Sequence, residues 1–189
     1  MCGIAGFYSV SNSFSKEDVV KMTDSIRHRG PDSDGVFYDQ TCGLGHRRLS
    51  IIDLSDRASQ PMYSSNGRYV IVYNGEVYNY QEIGAKLHKA GVVEQGVKFK
   101  SSSDTEVILE AFIQYGTDFV QELNGMFAFA IYDLEKKELY LYRDRVGIKP
   151  LYFYWDEKNF AFASELKALR QLTQLPFEIN QTAVRKFLH

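Results

Sequence analysis

The chain opens on Met1-Cys2-Gly3-Ile4-Ala5-Gly6-Phe7, and residues 2–9 alternate small and large apolar side chains. That pattern predicts a buried strand that begins at the terminus itself. A terminus committed to the core obliges the rest of the chain to close around it. Gly3 and Gly6 carry no Cβ and let other backbone approach closely. A cysteine behind the initiator Met becomes residue one once that Met is removed. Its thiol then shares a carbon with a free α-amine. The thiolate is the attacking form and ionises near ~8.5, while an α-amine titrates near ~7.7–8. Nucleophile and base would come as one covalent unit. On position alone, Cys2 reads equally well as an arbitrary small residue.

At 189 residues the chain fits one domain with a sizeable core. A formal net charge of −2 supplies no basic footprint, so neither nucleic acid nor an anionic membrane is an expected partner. Tyr and Phe, at 13 each against a single Trp, favour strands around an aromatic interior. The longest apolar run, residues 126–132, is far too short to span a bilayer, and no secretory leader precedes it. Cys2 and Cys42 could pair. Without a secretory signal, a reducing, cytoplasmic setting and a catalytic thiol are the expectation, with Cys42 a structural residue in a turn. The histidines lack ligand spacing and neither usual phosphate-binding loop occurs, so no metal and no cofactor is expected for this stretch.

Residues 15–26 predict a helix capped near Ser15, with Val19, Met22 and Ile26 on one face, stopped by Gly30 and Pro31. Strands are expected at 36–38 and 43–49 around a turn at 39–42. Residues 57–66 read as a loop, and 68–73 as a strand ending abruptly at Asn74-Gly75-Glu76. A helix over 81–90 closes at Gly91. Ser103 or Asp104 caps the next one, whose stripe is Val107, Ile108, Ala111, Phe112 and Tyr115, closed by Gly116. Two strands follow within 125–142, then a loop at 143–150 and short strands at 151–154 and 160–163. Ser164 is expected to cap a helix from 165 to about 171. Residues 180–189 begin a further helix and stop in its middle. Residues 2–170 therefore read as one domain, and 171–189 as a linker and the start of a second. The pattern predicts the α+β class, with layered sheets flanked by helices.

Three polar clusters besides Cys2 sit beside predicted strand or helix ends, where functional groups tend to be displayed. In His46-Arg47-Arg48-Leu49, period-two alternation puts His46 and Arg48 on one face. An inward Arg needs an anion, either a bound carboxylate or a structural Asp. In Asn74-Gly75-Glu76, a side-chain amide and an open N–H suit an oxyanion hole, but Asn-Gly is also a strong hairpin signal. Asp104, at a helix start, most simply caps exposed N–H groups. His28 and His46 read as scaffolding.

Together these stretches resemble a known family. They are Met-Cys-Gly-Ile-Ala-Gly at the start, Arg27-His28-Arg29-Gly30-Pro31-Asp32, His46-x-Arg48-Leu49-Ser50-Ile51 and Asn74-Gly75-Glu76-x-Tyr78-Asn79. To them are added Ser103-Asp104-Thr105-Glu106, Asn124-Gly125-Met126-Phe127-Ala128 and Arg143-Asp144-x-x-Gly147-x-Lys149-Pro150-Leu151-Tyr152. The resemblance is to class II glutamine amidotransferases, and within them to the N-terminal glutaminase domain of glutamine-hydrolysing asparagine synthetases. It implies an N-terminal nucleophile fold, an αββα sandwich of two antiparallel sheets. It implies Cys2 as nucleophile with its freed α-amine as base, and Asn74 with the Gly75 N–H as oxyanion hole. L-glutamine would be held by Arg48 at its α-carboxylate and by Asp104 at its α-ammonium. Glu76 and the backbone of Leu49, Ser50, Ile51 and Ile52 would complete the pocket. One departure is Ser101, where the family commonly has Thr.

The resemblance further implies a C-terminal synthetase domain that would use ATP and Mg2+ and receive ammonia through a tunnel. The Ser-Gly-Gly-x-Asp-Ser-type loop of that domain does not occur in these residues. Its acceptor would be aspartate, or alternatively a sugar acid in surface-polysaccharide synthesis. A homodimer is compatible with the family. A chain that retained Met1 would instead be a non-catalytic interface module. The loops at 27–32 and 143–150 would either order around substrate or face the second domain.

Overall fold

A computed structural model describes residues 1–49, 56–91, 99, 101, 103–179 and 181–188. Strand β1 (Gly3–Ser9) lies in the middle of a five-stranded antiparallel sheet. Its order is β2 (Ser33–Tyr38), β3 (Cys42–Arg48), β1, β9 (Asn159–Ala163), β8 (Tyr152–Trp155). A four-stranded antiparallel sheet runs β4 (Met62–Tyr63), β5 (Tyr69–Val77), β6 (Gly125–Asp133), β7 (Glu138–Arg143).

Strand alternation sorts the side chains into three apolar layers. Between the sheets, Ile4, Leu44 and Phe162 meet Val70, Val72, Ala128, Ala130 and Tyr132. On the outer face of the first sheet, Ala5, Phe7 and Ala161 cover α1 (Lys16–Ser25) and α4 (Leu166–Leu169) through Val19, Met22 and Leu169. On the far side, Ile71, Phe127, Phe129 and Ile131 pack on α2 (Tyr80–Lys89) and α3 (Asp104–Tyr115) through Ile83, Leu87, Ile108 and Phe112. The layers run helix, sheet, sheet, helix, which is the αββα sandwich that the resemblance implied. Each fully buried Ile or Phe contributes about 1.5–3 kcal/mol relative to an exposed one. The last helix, α5 (Gln181–Leu188), is exposed along its length.

Local chemistry explains most boundaries. Ser15 and Asp18 form a reciprocal capping box at the start of α1. Ser103 caps α3 by accepting the Thr105 N–H, which leaves the Asp104 carboxylate free for another task. Gly91 and Gly116 take positive φ just past α2 and α3. Cys2 and Cys42 are both free thiols. Register places them at opposite ends of the β1–β3 ladder, which pairs Gly3 with Arg47 and Tyr8 with Cys42.

Several expectations are corrected. β5 does not end at Asn74 but continues to Val77, pairing Asn74 with Ala128 and Gly75 with Phe127. The polar pair stays in the strand because β6 runs alongside it. Gly75 is required there, since a Cβ would stand 2.5 Å from the Met126 carbonyl oxygen. The stretch read as a loop contains β4, and β2 starts at Ser33 because Asp34 and Gly35 pair with Arg47 and His46. Ser164 does not cap α4. Its hydroxyl accepts the Ile4 N–H at 3.0 Å and its own N–H reaches the Ile4 carbonyl at 2.8 Å, so it fastens the start of β1. Tyr115 is exposed rather than part of the α3 stripe.

α1 rests closely on β3 because Gly45 has no side chain; a Cβ there would fall 1.8 Å from Thr23 Oγ1. Gly45→Ala is expected to lower unfolding free energy by about 1–3 kcal/mol through this overlap. An unchanged urea midpoint would contradict the close packing of α1.

Candidate active site

β1 delivers Cys2 to one end of the sandwich, where a cavity of about 370 Å³ opens. Even-numbered residues of β1 face the second sheet, as Ile4 does, so Cys2 points the same way. The Cys2 thiol donates to the Leu49 carbonyl at 3.7 Å, and the Leu49 N–H points back at the sulfur at 3.4 Å. Arg29 Nε donates to the Cys2 carbonyl at 3.0 Å while its Nη1 pairs with Glu165. The nucleophile candidate is therefore held by main chain on one side and by a partly buried guanidinium on the other.

The inward face of β3 contributes His46 and Arg48 to the same wall, both buried. His46 Nε2 lies 3.1 Å from the Tyr73 carbonyl oxygen, which can only accept, so Nε2 carries the proton. Burial, with the Arg48 charge adding to it, lowers the His46 pKa to about 4 despite that hydrogen bond. His46 is thus a neutral imidazole joining the two sheets.

β5 supplies Tyr73, Asn74, Gly75 and Glu76. The side-chain amide nitrogen of Asn74 is buried with no hydrogen-bond partner. On the strand edge away from β6, the Tyr73 N–H donates to Gln60 Oε1 at 2.6 Å and the Val77 N–H to Asp104 Oδ2 at 2.9 Å. Strand alternation puts the Gly75 N–H on that same edge, between them. Asp104 Oδ2 also accepts the Tyr73 hydroxyl at 2.6 Å. Burial raises the Asp104 pKa above the ordinary carboxylate range, against the lowering from Tyr73 and Val77.

The loop after β7 closes the rim. Its organiser is Asp144, which accepts the N–H groups of Ile148 at 2.8 Å, Lys149 at 3.0 Å and Phe127 at 3.2 Å. Burial works against its charge, but these N–H groups outweigh it and hold the carboxyl low. Ile148 and Lys149 then line the cavity, and Lys149 Nζ sits 3.7 Å from Met1 Sδ.

Of the residues expected from the sequence, Cys2, Arg48, Leu49, Asn74, Gly75, Glu76 and Asp104 all line this one cavity. Ser50, Ile51 and Ile52 lie outside the described residues. The sequence reading left out Gln60, Tyr73, Met126, Ile148 and Lys149, and treated His46 as scaffolding. Lys149 stood inside a recognised motif, but Gln60 lay in an apparent loop with nothing to single it out. Ser101 keeps the hydroxyl expected at its position and donates it to Glu106 at 3.0 Å. Cys42 takes no part: burial, with Asp39 nearby, pushes its thiol pKa well up. Among the described residues no group of three His, Cys, Asp or Glu is placed to hold a metal. No helix there is long and apolar enough to cross a membrane.

A family model described as a glutamine amidotransferase domain matches residues 1–189, and the chain belongs to that family. It is a class II domain related to the glutamine-hydrolysing asparagine synthetases. It is 39% identical over 207 residues to the putative asparagine synthetase 2 (glutamine-hydrolyzing) of Methanocaldococcus jannaschii, covering 99% of this chain and 39% of that protein. It is likewise 39% identical over 192 residues to asparagine synthetase 1 (glutamine-hydrolyzing) of Bacillus subtilis, covering 100% of this chain and 29% of that protein. The chain thus spans well under half the length of these relatives. Among solved structures, the glutamine phosphoribosylpyrophosphate amidotransferase of B. subtilis superposes with a TM-score of 0.74 at 21% identity. That match covers 91% of this chain and 44% of the other, and shows the shared N-terminal nucleophile fold.

The neutral state of His46 has a measurable cost in acid. Between pH ~6.5 and ~4 the unfolded chain binds a proton at this residue that the folded chain refuses, so stability falls by roughly 3 kcal/mol across that window. In His46→Gln this part of the profile should flatten. Parallel urea-derived profiles for the two proteins would refute the buried neutral imidazole.

Proposed function

We propose that this chain is the glutaminase half of a glutamine-dependent amidotransferase. The observation that carries the reading is one cavity that gathers the Cys2 thiol, the unpartnered Asn74 amide nitrogen, the Arg48 cation and the Asp104 carboxyl. Its volume suits a free amino acid. Arg48 takes the α-carboxylate of L-glutamine and Asp104, with Glu76 beside it, the α-ammonium. Removal of Met1 frees the Cys2 α-amine, which accepts the thiol proton. The sulfur bonds to the side-chain carbonyl carbon, and the oxyanion rests on Asn74 Nδ2 and the Gly75 N–H. The C–N bond breaks as the α-amine passes its proton to the leaving ammonia. Water then cleaves the γ-glutamyl thioester, releasing glutamate and restoring the thiol.

The ammonia is destined for an ATP-dependent synthetase domain outside these residues, with aspartate as acceptor, by analogy with the relatives named above. Exposed Val146 and Ile148 on the rim loop form an apolar surface at the cavity mouth that suits such a partner. A second reading follows from Met1, which lines the cavity and blocks the α-amine. A chain that keeps Met1 is an unreactive binding module.

An intact-mass measurement after treatment with 6-diazo-5-oxo-L-norleucine separates the two. One adduct on Cys2 of the Met1-free chain is expected; a processed chain that stays unmodified would overturn the glutaminase reading. Asn74→Ala should lower glutamine turnover roughly 10²–10³-fold. Cys2→Ala should abolish it, and Arg48→Ala should raise KM far more than it lowers kcat. Unaltered glutamine affinity in Arg48→Ala would remove the carboxylate assignment.

A further inference from the structure

Among the described residues, four buried side-chain polar atoms lack a hydrogen-bond partner: Arg29 Nη2, His46 Nδ1, Asn74 Nδ2 and Tyr142 Oη. Two of them, on His46 and Asn74, belong to residues that line the same cavity from its two facing sheets. Both residues stand where a dry core gives way to that cavity. Two positions earlier on the same strand faces, Leu44 and Val72 pack in the apolar layer between the sheets. Two positions later, Arg48 and Glu76 line the cavity. The apolar layer offers nothing to a polar atom, so a partner for each, reached by a small side-chain adjustment because both atoms are covered in the free site, would come from the cavity side.

The two atoms are opposite in kind. Because His46 Nε2 gives its proton to the Tyr73 carbonyl, Nδ1 presents a lone pair. Asn74 Nδ2 presents hydrogens. A primary carboxamide is the complement of that pair, with an oxygen that accepts and an NH2 that donates. A carboxylate would set lone pair against lone pair, and an ester has no hydrogen to give.

We infer that His46 Nδ1 accepts a hydrogen bond from the substrate's carboxamide NH2, opposite Asn74, and so makes the site selective for a primary amide over the matching ester or acid. The inference rests on the glutaminase reading and adds to it the group that recognises the scissile nitrogen.

The test compares kcat/KM, which reports acylation, for L-glutamine and for L-glutamic acid γ-methyl ester on the Met1-free chain. In His46→Leu the value for glutamine should fall roughly tenfold further than that for the ester. His46→Gln, whose amide offers both a donor for Tyr73 and an acceptor, should restore most of the discrimination. Equal losses for both substrates would reduce His46 to a structural role and overturn the inference. Cys2→Ala, with His46 intact, provides a measurement that does not depend on the core variants folding. Calorimetry should find it binding glutamine about tenfold more tightly than the ester, and equal affinities would overturn the inference. A wild-type chain that hydrolyses the ester and not glutamine overturns it too. One that hydrolyses neither removes the glutaminase reading itself.

Discussion

Both edges of β1 are hydrogen-bonded, to β3 from Gly3 to Tyr8 and to β9 from Ala5 to Ser9. Sliding the strand by one residue would break two ladders and turn Ile4 and Phe7 to the wrong faces. That double constraint decides where Cys2 stands, since parity with Ile4 aims it between the sheets. Ser164, from the end of β9, and Arg29, from the turn after α1, hold the last free backbone groups of this end. Leu49, at the end of β3, then falls against the sulfur because β3 is the strand paired with β1. The cavity wall follows from a register rather than from any single side chain.

The polar groups around that cavity are held by partners that leave a chosen atom available. Tyr73 and Val77 occupy one oxygen of Asp104, and Ser103 does the capping that Asp104 would otherwise do. Gln60 occupies the N–H of Tyr73, and Asp144 occupies the N–H groups of the rim loop. A site whose dipoles are fixed beforehand does not have to reorganise when charge develops in it. Confining titration matters as well: a protonated His46 would place a second cation beside Arg48, and burial keeps it neutral.

Much of this was legible in the sequence because it is written in local rules. The Cys2–Ser9 alternation, the Ser15–Asp18 cap and the glycines after α2 and α3 each act within a few residues. The motifs carrying Cys2, Arg48, Asn74 and Asp104 are short and ordered, so these residues of the cavity lining could be named from the sequence. What was missed depends on tertiary pairing. β5 continues through Asn74-Gly75-Glu76 only because β6 lies beside it. Ser164 serves Ile4, 160 residues away, in place of its own helix. Gln60 and Tyr73 gain their importance from a hydrogen bond between a turn and a strand that no periodicity encodes.

The separation between Ile4 and Ser164 also sets a schedule. β1 is made well before β9, one of its two flanking strands. At 5–20 residues per second the intervening 160 residues take roughly 8–30 s to synthesise. During that interval the segment bearing Met1 and Cys2 has no β9 to pair with and cannot be sealed into the sandwich. An aminopeptidase would meet an unpaired end on the nascent chain; in the finished fold Met1 stays largely exposed, with its sulfur 3.7 Å from Lys149 Nζ. The length of that unpaired interval is set by chain topology.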